Sequence, residues 1–340
     1  MGSVKDLIVK KKAEKEKPGI GFFVFSDRYS VFDWGEMPDK IEKKGAALCL
    51  VAAYFFERLE ELGIKTHYLG LLEDNERKRL FELKAPTNIM AIKLLRVLKP
   101  TIKNGNYDYS CYKKERKNFL IPLEVIYRNS LPEGSSVFKR LREGVLKLED
   151  LGLKEMPRPN TILEKPIIEF STKLEATDRY ITFEEAKAIA NLSEEELMAI
   201  KEKTLLINKL ISEEASKIGL FNEDGKIEFG FDEERNLIVV DALGTLDECR
   251  FTYEQIPISK EIARHYYRKT AWYEEVEKAK KLDPVNWKKL VKENPPPLPS
   301  ELKTLIENIY LAYCNELTKR SFFSSPPLKE LLFALKKFLT

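Results

Sequence analysis

The chain has 340 residues, 43% of them hydrophobic and 33% charged, with a formal net charge of +3. That length suffices for two lobes, and a small net charge with acidic and basic residues interleaved gives no support to nucleic-acid binding. No apolar run reaches membrane-span length and no segment reads as a signal peptide, so a cytoplasmic protein without a membrane partner is expected. Cys49, Cys111, Cys249 and Cys314 lie far apart, and His67 and His265 are the two histidines. That pattern argues against zinc and for a reducing compartment. A single glutamine, Gln255, amid abundant Lys and Glu leans towards a thermophilic source.

In chain order, Gly2 and Lys5 flank the start of a short apolar run, Leu7 to Val9, where a glycine and a lysine can cover a nucleotide's phosphates. Gly19 to Phe25 reads as a buried strand; its Gly-x-Gly lacks the third glycine of a dinucleotide fingerprint. Ser26-Asp27-Arg28-Tyr29-Ser30-Val31-Phe32-Asp33 then forms a polar strand-end loop suited to binding. Ala46 to Leu62 is helical and ends at Gly63. Thr66 to Leu72 and Met90 to Leu98 read as strands, and Lys103 to Asn118 as an excursion. Phe119 to Arg128 is an apolar strand that ends in an arginine, followed by the turn Gly134-Ser135-Ser136, a combination that can hold a phosphate.

Ile167 to Phe170 is a further strand, running into Lys173, Glu175 and Asp178. Thr182 with Glu185, and Ser193 with Glu196, are capping boxes, and the second opens a long amphipathic helix that Gly219 stops. Beyond it, Ile227, Phe229 and Phe231 alternate with Lys226, Glu228 and Gly230, the period of a strand with one buried face. Leu237 to Val240 is the returning strand of the hairpin, with Asp241 at its end and Asp247-Glu248-Cys249-Arg250 shortly after. Carboxylates and an ammonium on one hairpin are costly to bury alone. A magnesium ion carrying a polyphosphate would satisfy both signs; a solvated hairpin with ordinary surface charges is the plain alternative. Ile262 to Arg268 reads as a helix with a basic face, Pro295-Pro296-Pro297-Leu298-Pro299 breaks the chain, and an amphipathic helix and a terminal helix follow.

Together these segments resemble the SAICAR synthetase family of purine biosynthesis. Ile121-Pro122-Leu123-Glu124-Val125-Ile126-Tyr127-Arg128 with Gly134-Ser135 is similar to one family signature. Asp224-x-Lys226-x-Glu228-Phe229-Gly230 matches another, and Ser26 to Asp33 is similar to the family's early Asp-Arg-x-Ser-x-Phe-Asp segment. The proline-rich break is also similar, and the motifs keep the family's order from about residue 2 to 317.

The resemblance implies an α+β fold in which a small β-rich N-terminal lobe covers a larger α+β lobe, a two-lobe arrangement related to ATP-grasp and kinase-like folds. The expected division is 1–124, 125–321 and a helical extension over 322–340. The implied activity is an ADP-forming carbon–nitrogen ligase that joins carboxyaminoimidazole ribonucleotide to L-aspartate through an acyl phosphate, with ATP and Mg2+. By resemblance, Lys5, Glu124 and Lys226 meet ATP, Lys226 stabilises the transferring phosphoryl group and Asp224 orients it. Glu228 and Asp241 hold magnesium. Arg128, Ser135 and Arg250 hold the ribonucleotide phosphate and Asp247 the imidazole side. Ser26, Asp27, Arg28, Ser30, Asp33, Lys44, Gly45, Lys173 and Arg268 complete the substrate set. A homodimer is expected by analogy.

Three places depart from the family pattern. Ala242 stands where glutamate is usual, Glu42 and Lys43 replace a proline and a glycine, and Arg264 to Arg268 follows a Lys-Gln-aromatic-x-Arg pattern only roughly. Two further readings remain open: a kinase-like small-molecule phosphotransferase, and a nucleotide-binding relative without turnover. Against a protein kinase, neither histidine begins a His-Arg-Asp, and no Walker A sequence exists.

Overall fold

The computed structural model describes residues 4–339, so Gly2, expected near the phosphates, lies outside the described residues. Strands β1 (Lys5–Lys11) and β2 (Gly19–Phe25) precede helix α1 (Lys44–Glu61). Strands β3 (Tyr68–Glu73), β4 (Glu76–Lys78) and β5 (Ile89–Leu94) complete a first sheet in the order β1-β2-β5-β3-β4. All its pairings are antiparallel. The excursion is ordered as a small hairpin, β6 (Thr101–Lys103) with β7 (Asn106–Asp108), and one helical turn, α2 (Ser110–Lys113).

The second sheet grows around β8 (Phe119–Leu131). Helix α3 (Ser136–Arg142), strands β9 (Thr161–Thr172) and β10 (Tyr180–Ile181), and helices α4 (Phe183–Ala190) and α5 (Glu194–Lys217) follow. Then come β11 (Phe221–Phe231), β12 (Leu237–Val240), β13 (Cys249–Tyr253) and β14 (Ile256–Pro257). The order is β10-β9-β8-β11-β13-β14, with β12 paired to the far half of β11. Helices α6 (Glu261–Tyr267), α7 (Ala271–Leu282), α8 (Ser300–Thr318) and α9 (Leu328–Leu339) end the fold, with α8 packed on both α1 and α9.

Local chemistry explains the boundaries. Ser193 Oγ accepts from Glu196 N while the Glu196 carboxylate accepts from Ser193 N, so both arms of the α5 capping box are made. At α4, Thr182 Oγ accepts from Glu185 N. Ile227, Phe229 and Phe231 bury one face of β11 in the core. The opposite face is not solvated: Asp224 and Glu228 are buried as well, because that face looks into the site rather than into water.

The two sheets are joined through the hairpin. His67 N donates to Val239 O at 3.0 Å, and Val239 N to Lys65 O at 3.0 Å. One hydrophobic core runs beneath both sheets and α1. The division expected after residue 124 falls inside β8, which pairs along its length with β9 and β11.

Candidate active site

The register of β11 sets the site. Asp224 lies directly across from Arg128 on β8 and from Arg250 on β13, and Glu228 across from Glu124. Cross-strand neighbours on one face interact, so two charge clusters form along a single strand.

The first is a ladder of alternating charge. Arg250 Nε donates to Asp224 Oδ1 at 2.7 Å, and its Nη2 also reaches Asp224. Arg128 Nη1 donates to Asp224 Oδ2 at 3.0 Å and its Nε to Glu169 Oε2 at 2.6 Å; Arg140 Nη2 donates to Glu169 Oε1 at 2.6 Å. Tyr180 closes the ladder: its ring lies 3.7 Å from the Arg140 guanidinium, and its hydroxyl accepts from Arg128 at 2.9 Å. Burial would push the Asp224 carboxyl up, yet Arg250 and Arg128 outweigh it and hold the group below the usual carboxylate range. The resemblance gave Asp224 an orienting role beside Lys226; in the structure its contacts are with Arg128 and Arg250. Its oxygens serve the two arginines, while Lys226 turns to other carboxylates.

The second cluster surrounds Lys226. Its Nζ lies 2.9 Å from Glu124 Oε1, 3.2 Å from Glu228 Oε1 and 3.5 Å from Glu248 Oε2. Lys173 Nζ reaches Glu228 Oε1 at 2.5 Å and Glu124 Oε1 at 3.9 Å. Lys5, on β1, reaches Asp241 Oδ1 at 2.5 Å. Asp241 takes a left-handed backbone, φ 69°, at the end of β12, a conformation that aspartate tolerates better than most residues. Burial and the Asp241 charge raise the Glu228 carboxyl to about 7. Burial pushes Asp241 up too, but Lys5, Lys226 and Lys173 hold it well below the usual range. Burial disfavours the Lys226 ammonium, yet Glu248, Glu228 and Glu124 keep its pKa well above the ordinary lysine value.

The loop over residues 26–45 braces this centre more than it faces it. Ser26 Oγ donates to Val4 O at 2.9 Å. Asp27 accepts from Gly45 N at 2.9 Å and Lys43 N at 3.1 Å, so its carboxylate ties the loop to the start of α1. Gly45 is required there, since a Cβ would stand 2.6 Å from the Phe25 carbonyl oxygen. Lys43 itself is left-handed, φ 62°, where the family pattern has a glycine. Arg28 pairs with Asp6 at 2.8 Å. Lys44, buried, donates to Asp247 Oδ2 at 2.6 Å and Arg28 O at 3.1 Å; Asp247 Oδ1 accepts from Tyr310 at 2.7 Å. Ser135 caps α3 through Val137 N, and it is the neighbouring Ser136 that lines the cavity beside Arg128. Arg268 pairs with Glu261 at 3.3 Å and lies in an outer cavity that shares Arg250 and Gly134 with the inner one. Glu175 accepts from Tyr109 at 2.9 Å.

Two chambers meet at the centre. One, about 280 Å³, is lined by Arg128, Ser136, Tyr180, Arg250 and Arg264. The other, about 480 Å³, is lined by Ser30, Asp33, Glu124 and Asp178. Lys226, Asp247, Glu248 and Lys260 line both and form their common wall. The first chamber carries five cationic side chains against three carboxylates, the second two against five. Burial and Glu124 raise the Asp178 carboxyl to about 6. Glu248, Ser136, Tyr180 and Lys260 escaped the sequence reading. Glu248 stood within the quoted Asp247–Arg250 stretch and Ser136 within the quoted Gly134–Ser136 turn; Tyr180, on β10, and Lys260, just before α6, carry no local signal, because only the assembled fold brings them in.

The described residues contain no group of three or more His, Cys, Asp or Glu arranged for a metal. Burial and, after it, repulsion by Asp241 nevertheless raise Glu228 to about 7. A divalent cation would relieve that repulsion, so the pair fits magnesium, which takes one or two protein carboxylates and completes its shell from water and phosphate.

The family model for SAICAR synthetase matches residues 8–280. The chain belongs to the SAICAR synthetase family. A relative from Archaeoglobus fulgidus, itself provisionally named phosphoribosylaminoimidazole-succinocarboxamide synthase, is 55% identical over the full length of both chains. The enzyme of that name from Thermoplasma volcanium is 35% identical, covering 75% of this chain and 80% of its own. Among solved structures, the SAICAR synthase of Saccharomyces cerevisiae complexed with SAICAR matches with a TM-score of 0.63, at 20% identity, over 96% of this chain and 94% of that one. A SAICAR synthetase in complex with ADP matches with a TM-score of 0.56, at 23% identity, over 87% and 99%. The α+β fold is thus that of the family, as the motifs implied. Among the described residues, no helix is long and apolar enough to cross a membrane.

Proposed function

We propose that this family member uses ATP to join the carboxylate of carboxyaminoimidazole ribonucleotide to the amine of L-aspartate, by way of an acyl phosphate. The observation that carries the reading is Lys226, whose ammonium stands among Glu124, Glu228 and Glu248 on the wall where an anion-favouring chamber meets an acidic one. The ribonucleotide's phosphate suits the arginine chamber, and the ammonium of aspartate suits the acidic one.

In the first step a carboxylate oxygen attacks the γ-phosphorus and the bond to ADP breaks. In the second the aspartate ammonium first gives up a proton, the resulting amine attacks the acyl carbon, inorganic phosphate leaves, and the nitrogen gives up its second proton. Lys226 and Lys5 are positioned to meet charge on the transferring phosphoryl group, and exclusion of water strengthens that interaction. Asp178, with its carboxyl raised to about 6, suits the proton lost from nitrogen. Arg250 and Ser136 take the ribonucleotide phosphate, with Arg128 acting through Asp224 to hold Arg250. Glu228 and Asp241 would hold magnesium, which supplies charge neutralisation to the triphosphate. The nucleotide is assigned to the junction between the first sheet and β8, beside Glu124; neighbours of this fold were solved with ADP and with SAICAR.

The test is ADP release by the purified protein with ATP, Mg2+, L-aspartate and the ribonucleotide, each omitted in turn. Release that requires all four, with a succinocarboxamide product, supports the ligase. Phosphate transfer that needs no aspartate favours the phosphotransferase, and binding without release favours a relative without turnover.

A further inference from the structure

The cations of the centre share one habit. Lys5, Lys44, Lys173 and Lys226 each hold a carboxylate within ion-pair distance. Lys260 does not. Its Nζ donates to the backbone oxygen of Asp247 at 2.7 Å, and no carboxylate of the described residues lies within 4.0 Å of it. An ammonium set into the protein without a carboxylate in contact is expensive. Burial and the adjacent Arg264 depress its pKa below the ordinary lysine value, and the longer-range charges of Glu248 and Asp247 only partly offset them. Lys260 immediately precedes α6 and faces both chambers from their common wall. Its field reaches Asp224 on the arginine side and includes Lys226. Two ammonium groups at one wall, one of them lacking a carboxylate, define a place for an anion.

We infer that Lys260 binds the reacting carboxylate of the imidazole ribonucleotide, holding it at the wall beside Lys226 while the phosphate end lies among the arginines. The inference rests on the ligase reading. The chamber charges decide between substrates. An anion anchored on the arginine side extends naturally to the wall, whereas the acidic chamber repels the two carboxylates of aspartate and attracts its ammonium. Lys260 thus gives specificity: it distinguishes the carboxylated ribonucleotide from the same molecule without the carboxylate, because a charge-assisted hydrogen bond is made to one and not to the other.

The experiment measures binding, without turnover, of the carboxylated ribonucleotide and of its decarboxylated analogue to the wild type and to Lys260→Met and Lys260→Arg. Wild-type protein is expected to prefer the carboxylated ligand, and Lys260→Met to lose about tenfold or more of that preference while binding the analogue unchanged. Lys260→Arg, which keeps the charge, is expected to recover part of it. Steady-state kinetics of Lys260→Met should show a raised KM for the ribonucleotide with the KM for aspartate within about twofold. Equal weakening of both ligands, an unaltered preference, or a change confined to the aspartate KM would overturn the inference. Thermal unfolding of Lys260→Met separates misfolding from lost recognition; should it misfold, the preference of Lys260→Arg decides, and an analogue bound as tightly as the carboxylated ligand by the wild type overturns the inference without any variant. Failure of the ligase reading is distinguishable, since wild-type protein would then give no succinocarboxamide product.

Discussion

The two charge clusters on β11, at Asp224 and at Lys226 with Glu228, are four residues apart at most, yet they are built to opposite ends. In the ladder, Arg140, Glu169, Arg128, Asp224 and Arg250 alternate in sign, and the Asp224 carboxyl lies below its usual range. Around Lys226, by contrast, carboxylates face one another: Glu228 opposes Glu124 across the strands and repels Asp241, and burial together with these charges raises its carboxyl to about 7. The ladder satisfies itself, so it can hold Arg250 rigid. The Lys226 cluster is left with strain between like charges, the condition under which binding of a cation and a polyphosphate changes most. Buried ion pairs give fixed geometry when complete; here the complete set positions and the incomplete set is proposed to react.

The most direct way to break this contrast is to remove the lysine at its centre. Lys226→Met is expected to lower ADP release at saturating substrates by about 10³-fold, the order seen when a charge-stabilising donor is lost from a closed site. Stopped-assay measurement of ADP checks this, and a loss below tenfold would place the phosphoryl group elsewhere. The ladder should respond differently. Glu169→Gln leaves Arg128 and Arg140 short of a buried counter-charge, and about 3 kcal/mol of unfolding free energy should be lost by urea denaturation. Its residual activity should show a raised KM for the ribonucleotide and little change in kcat, since the ladder acts through the placement of Arg250.

What the sequence revealed follows the same division. The alternation in Ile227, Phe229 and Phe231 made β11 legible, and with it the shared face of Asp224, Lys226 and Glu228, because period-two patterning is local. The function of Asp224 was not legible: its partners Arg128 and Arg250 lie 96 and 26 residues away, and strand register alone brings them together. Part of the role of Asp27 was hidden for a related reason. A carboxylate at the end of a strand reads as a ligand for substrate, but its two oxygens also accept from the amides of Lys43 and Gly45, a loop anchor that becomes visible only in three dimensions. Lys260 had no motif at all. Its meaning comes from the absence, among the described residues, of a carboxylate within 4.0 Å of its ammonium, although Asp247 and Glu248 share its wall, and that requires every surrounding element to be in place.

Glu228→Gln gives the subtlest and sharpest comparison with the ladder. A carboxyl raised from its ordinary 4.5 to about 7 in the fold contributes stability that is fully present below pH 4.5 and is lost as pH rises through about 7, because the folded state binds the proton more tightly than the unfolded one. Wild-type protein without nucleotide should therefore lose stability relative to Glu228→Gln between pH 5 and pH 8, by about 1–2 kcal/mol once the neighbouring lysines are allowed for. The variant should unfold no more easily than wild type at pH 8, the reverse of Glu169→Gln. At the same pH its dependence on magnesium should weaken at least about tenfold, as loss of a group that serves a metal does. Urea unfolding at the two pH values and a magnesium titration of ADP release test the pair of effects. A variant that loses stability at pH 8 as Glu169→Gln does would mean that Glu228 belongs to the self-satisfied set, and the contrast between the clusters would fall.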